Sequence, residues 1–173
     1  IINIFMLDTY APSPPLTNAD QPDVLGTLLR GSSRAVFRGS ADSDYGKGLR
    51  WDAETRIAPL LKGSVFTRNQ LLDEGVGVLE NRSAGTTDIL HEYFVPRDRA
   101  FAFVQSMRRI VQTHDGNLLN VTIRSVNEDT DTVLRFAREP VFAFVMLFLQ
   151  DRTASGEAHM AAMTQDLIDA SIE

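Results

Sequence analysis

Asp88-Ile-Leu-His-Glu-Tyr-Phe-Val-Pro-Arg-Asp98 opens as a strand that stops at its proline, and Asn117-Leu-Leu-Asn-Val-Thr-Ile-Arg-Ser-Val126 reads as a second strand. Between them, residues 99–113 carry apolar side chains at helix spacing. Phe101, Val104, Met107 and Val111 form the expected buried stripe, with Asp98 as the expected N-cap and Gly116 as the stop. In the second strand a period of two sends Leu119, Val121 and Ile123 to one face, and Asn120, Thr122 and Arg124 to the other. The apolar face serves as core. The polar face has two readings. It is either the solvated side of an antiparallel sheet or the lining of a pocket. In the pocket reading Arg124 is a fixed cation for a carboxylate or a developing anion, and Asn120 and Thr122 are its hydrogen-bonding companions.

Toward the C-terminus, residues 127–131 are acidic and turn-like, and residues 132–136 are expected to start a short strand or helix. Residues 141–149 form a nearly unbroken apolar run, the signature of a central strand. Thr153 or Ser155 is expected to cap a final helix over residues 156–172, with Met160, Met163, Leu167 and Ile168 facing inward. The order strand, helix, strand, strand, helix predicts an α+β, ferredoxin-like split βαβ domain: an antiparallel sheet with helices on one face, lacking a last strand.

Toward the N-terminus, residues 11–23 are rich in Pro, Asn and Asp and read as loop. Residues 23–30, 49–61 and 67–74 read as short helices, the second ended by Gly63. Residues 1–87 are therefore expected to be a mainly helical and loop connector, and residues 88–173 the ferredoxin-like domain. The chain opens without a basic leader and its final helical pattern runs to Ile172 without a cap, so both ends read as cuts within a longer protein.

Composition narrows the function classes. The chain has 173 residues, 43% of them hydrophobic and 23% charged, enough for a buried core. A net charge of −6 argues against nucleic acid or an anionic membrane as partner. No run approaches the ~20 apolar residues of a membrane helix, and a cytoplasmic location is expected. The lack of cysteine excludes disulfides and thiolate metal sites. The histidines are His91, His114 and His159, none at close helical spacing, and His91 and Glu92 point to opposite faces of one strand, so no metal site is expected. His159 is expected to be solvated. Asn127-Glu-Asp-Thr-Asp131 begins like a calcium loop, but Thr132 stands at its sixth position and Arg138 at its twelfth, which leaves an acidic turn. Gly75-Val-Gly77 lacks a third glycine and a preceding strand, and there is no Gly-x-Ser-x-Gly elbow. Nothing here is a catalytic engine by itself.

His91-Glu-Tyr-Phe-Val-Pro-Arg-Asp98, the helix after it and Asn117-Leu-Leu-Asn-Val-Thr-Ile-Arg124 together resemble the cap domain of FAD-linked oxidases of the vanillyl-alcohol oxidase superfamily, in the aldonolactone and alditol oxidase branch. The likeness covers residues 88–150, and residues 1–87, with Thr67-Arg-Asn-Gln-Leu71, resemble the lead-in from the flavin domain. It implies a fragment that positions a small-molecule substrate over a flavin for hydride transfer. Arg124 matches the family's arginine facing flavin and substrate. Thr122 stands where the family has a glutamate, and Val145 and Leu147 stand where some polyol oxidases carry His-x-Thr, which implies a less polar pocket than a sugar oxidase's. Asn120 and Thr122 would orient the substrate, with Glu92 as a further pocket residue. The resemblance places FAD in the full-length parent, held by the FAD-binding domain of the same chain. The fragment alone is expected to hold no cofactor and to be inactive, and a homodimer is a further expectation. The alternative is a non-enzymatic ferredoxin-like module that binds a small ligand or dimerises.

Overall fold

The computed structural model of the protein describes residues 35–41, 43–57 and 80–172. The chain divides into two compact units, Ile1–Glu80 and Asn81–Glu173. The loop expected over 11–23, the helices expected over 23–30 and 67–74, and Gly75-Val-Gly77 lie outside the described residues.

In the first unit, residues 35–39 are helical and lead to a turn in which the buried Ser40 hydroxyl donates to Phe37 O at 2.6 Å. The Arg50 guanidinium stacks 4.7 Å from the Phe37 ring centroid. Helix α1 (Asp44–Asp52) starts at Ser43, whose hydroxyl accepts from Gly46 N at 3.0 Å. It passes into a π-helical turn, Ala53–Ile57. The helix therefore begins ahead of the expected residue 49, because Ser43 supplies the cap. Leu49 is exposed, and residues 58–61 of the expected helix, with Gly63, lie outside the described residues.

The second unit is built from β1 (Thr86–Pro96), α2 (Ala100–Thr113), β2 (Leu118–Val126), β3 (Val141–Asp151) and α3 (Ala154–Ile172). It is a mixed α/β unit whose three strands form one antiparallel sheet in the order β1-β3-β2. The unbroken apolar run of β3 follows from its central place, where neither face meets water fully. Ile89, Tyr93 and Val95 of β1 share a face with Phe148, Phe144 and Phe142 of β3. Against that face pack Phe103 of α2 and Met160, Met163 and Leu167 of α3. The Phe103 ring lies 4.9 Å from Phe144 and 5.7 Å from Tyr93. Each such fully buried side chain contributes roughly 1.5–3 kcal/mol through lost apolar surface. His114 at the end of α2 meets Asp166 of α3 at 2.7 Å and ties the helices together.

Several expectations need correction. Phe101 is 75% exposed, because the inward stripe of α2 runs through Ala100, Phe103, Val104, Met107, Ile110 and Val111. Asp98 does not cap α2. Arg99 occupies that position with no side-chain cap hydrogen bond, and the entry turn is closed by Arg99 N donating to Pro96 O. Thr153 caps α3, its hydroxyl accepting from Gly156 N at 3.0 Å. On α3, Ile168 is 41% exposed, since the spacing of Met160, Met163 and Leu167 fixes the buried face and Ile168 falls beside it. Residues 132–136 are neither strand nor helix. The Asp129 carboxylate accepts from the backbone N–H of Asp131 and Thr132 and from the Thr132 hydroxyl, and Asp129 N donates to Ala137 O, which folds this stretch into irregular turns. β2 carries a bulge at Leu119: Leu118 pairs with Phe148 and Asn120 with Leu147, so Leu118 joins Val121 against the core. Among the described residues, no helix is long and apolar enough to cross a membrane.

Candidate functional site

The register defines the second face of the sheet, the one turned away from α2 and α3. Paired residues share a face, so Leu90–Leu147–Asn120, Glu92–Val145–Thr122 and Phe94–Ala143–Arg124 form three successive rows across the strands. All four candidate residues, Glu92, Asn120, Thr122 and Arg124, therefore lie on one face. Glu92, Thr122 and Arg124 are exposed and Asn120 is half-buried. The Asn120 amide donates to the Thr122 hydroxyl at 3.3 Å, which orients two of the three polar groups of β2 relative to each other.

The middle of this face is apolar. Val145 and Leu147 of β3 are half-buried, and Leu90 of β1 is exposed. At one end the face is covered by the loop between β2 and β3. The Phe136 ring stands 5.2 Å from Phe94, and Ala137 and Ala143 are almost fully buried. The acidic turn at Asp129 anchors this loop. The Thr132 hydroxyl and then the Thr132 N–H hold the Asp129 carboxyl below its usual pKa. A period-two reading of β2 alone finds the polar triad. The apolar middle was present in the outward residues of β3, which a continuous hydrophobic run does not separate by face. The Phe136 cover depends on a long-range contact that no local pattern encodes.

Behind the sheet, His91 lies in the core rather than on this face. It packs against Phe148 with ring centroids 5.2 Å apart, takes a hydrogen bond from Tyr93 at Nδ1 (3.1 Å), and stands 3.5 Å from the Thr164 hydroxyl at Nε2. Burial lowers the His91 pKa and pushes the Tyr93 hydroxyl up to about 12. These groups build structure. His159 is exposed, but its Nε2–H donates to the His114 carbonyl instead of standing only in water. Among the described residues, no group of three or more His, Cys, Asp or Glu side chains is placed to hold a metal ion.

Chemically, the open face combines a guanidinium with a hydroxyl and an amide on one edge strand, a carboxylate on the other, and aliphatic surface between. It suits a small molecule with a polar or anionic end directed at β2. Comparisons with protein-family models, with curated proteins and with solved structures find no match for this chain.

Proposed function

We propose that this chain supplies the substrate-binding cap of an FAD-dependent oxidoreductase, and that the face bearing Glu92, Asn120, Thr122 and Arg124 is turned to the substrate. The observation that carries the reading is the gathering of these four residues on the sheet face left uncovered by the helices. The strand order β1-β3-β2, with α2 connecting β1 to β2 and α3 following β3, is what a ferredoxin-like split βαβ cap without its last strand would have, and it supports this part of the reading. The cytoplasmic location expected from the sequence goes with it.

The four residues of this face stand on strands, whose N–H groups lie in the plane of the sheet, so the face itself turns side chains rather than backbone donors to a ligand. What they fit is the edge of a bound ring and its substrate, so FAD itself would be held by a flavin-binding domain of the same longer chain. There it would supply the redox chemistry as acceptor of the hydride. Arg124 holds negative charge on the substrate side. Thr122 and Asn120 fix the orientation of a substrate hydroxyl, and Val145 and Leu147 exclude water from the middle of the face. Glu92 receives a polar group at the far edge.

Purification of the protein from its whole coding sequence tests the reading. The product is expected to carry stoichiometric flavin absorption that bleaches anaerobically with substrate, while the 173-residue chain alone is colourless and inactive. A full-length product without flavin would end the proposal.

A further inference from the structure

We infer that Arg97 is a positioning residue for Arg124. The inference rests on the reading of Arg124 as the cation of the substrate face. Arg124 stands on β2, an edge strand whose only strand partner among the described residues is β3. An edge strand is the element of a sheet with the least to fix its end. Arg97 lies just past β1, on the opposite edge. Its Nη2 donates to Ser125 Oγ at 2.9 Å, and to Val126 O and Asn127 Oδ1 at 3.4 Å each. The guanidinium stands 5.7 Å from the ring centroid of Phe142, the residue of β3 that pairs with both Val95 and Ser125.

One planar cation therefore bridges the two edge strands over the central one and grips the three residues immediately after Arg124. Ser125 and Arg124 alternate in the strand, so the clamp acts on the side opposite the substrate face and fixes the backbone from which Arg124 projects. The same grip holds Asn127, where the loop that brings Phe136 to Phe94 begins. All three bonds leave the one Nη2, so a lysine ammonium can reproduce part of the grip but not the planar group that stands over Phe142.

Two measurements test this. In the 173-residue chain, Arg97→Gln is expected to speed amide hydrogen exchange at residues 122–126 by roughly tenfold or more, with α2, α3 and the β1–β3 pairing unchanged. Arg97→Lys is expected to fall between. In the flavin-bearing full-length protein, Arg97→Gln is expected to lower kcat by roughly 10- to 100-fold with KM little changed, since misplacement of a catalytic group acts on the transition state. In an Arg124→Ala background the same substitution is expected to cause no further loss. Unchanged exchange at 122–126, or losses that multiply in the double variant, would overturn the inference. If Arg124→Ala alone leaves turnover intact, the functional reading fails, and the exchange result alone then decides whether Arg97 positions this strand.

Discussion

Glu92 and Thr122 stand in one row of the sheet, on opposite edge strands, with Val145 between them. Two interstrand spacings separate them, roughly 10 Å. A ligand lying across β3 thus meets a carboxylate at one side, a hydroxyl at the other and a valine in the middle. One row further along, Phe94, Ala143 and Arg124 repeat the scheme with a cation on the β2 side. The face is polarised across its width, with its positive charge on β2 and its negative charge on β1.

If that polarity serves substrate, Arg124→Ala should lower turnover of the full-length protein by about 10²–10³, the usual cost of removing one preorganised donor to a developing anion. Arg124→Lys should recover only part of it. Because Arg124 is exposed, the melting temperature should barely move, in keeping with about ±0.5 kcal/mol for surface positions. Steady-state kinetics beside a thermal melt decides the matter, and normal turnover in Arg124→Ala removes Arg124 from the site.

The His91 environment predicts an acid-sensitive core. Thr164 donates its hydroxyl proton to Met160 O, so it accepts from His91 Nε2–H, which leaves Nδ1 to accept from Tyr93. The neutral imidazole satisfies this network, and the protonated ring does not. Burial lowers the folded pKa below the ordinary histidine value of about 6.5, so the unfolded chain binds the proton more readily. Stability should be complete above about pH 6.5 and decline as pH falls through the folded pKa. Chemical denaturation between pH 7.5 and 5 checks this. His91→Leu should flatten that part of the profile, and an equally steep fall in His91→Leu would assign it to other groups.

How much of this was legible in the sequence depended on whether the signal was local. The strand at 118–126, the α2 segment and the central run of β3 stand where periodicity and the stop at Pro96 place them, whereas α2 is ended by Asp115, which takes the left-handed conformation (φ 51°) expected of Gly116. Phe101 and Phe103, two positions apart, both satisfy a coarse helical spacing, and only the contact of Phe103 with Tyr93 and Phe144 chooses between them. The bulge at Leu119 was hidden because Asn117-Leu-Leu-Asn120 alternates equally well in either phase. The polar triad on β2 was readable. Glu92 on the same face follows from register, which a single strand does not declare.

Two glycines should respond differently to the same substitution. A Cβ on Gly156 would overlap the Asp151 carbonyl oxygen, a backbone atom fixed by the end of β3 and the start of α3. A Cβ on Gly116 would meet Met163 Sδ at 2.6 Å, near the far end of a flexible side chain. Gly156→Ala is therefore expected to destabilise by about 1–3 kcal/mol and Gly116→Ala by clearly less. Denaturant melts of the two variants compare them directly, and equal losses would show that Met163 has no room to move.

The last expectation concerns association. β1 is an 11-residue strand that pairs only with β3 among the described residues, so its outer hydrogen-bonding groups can take another strand. On its outward face Leu90 is 63% exposed and Phe94 38%. Asp88 and Glu92 alternate with them, and their like charges oppose the approach of a second copy at low ionic strength. The 173-residue chain is therefore expected to dimerise at high concentration, and more readily as salt screens those carboxylates. Leu90→Lys should suppress the dimer without lowering the melting temperature, since Leu90 lies on the face away from the helices. Sedimentation or light scattering across a concentration and salt series provides the check. A strictly monomeric particle at millimolar protein and high salt would show that this edge is already protected.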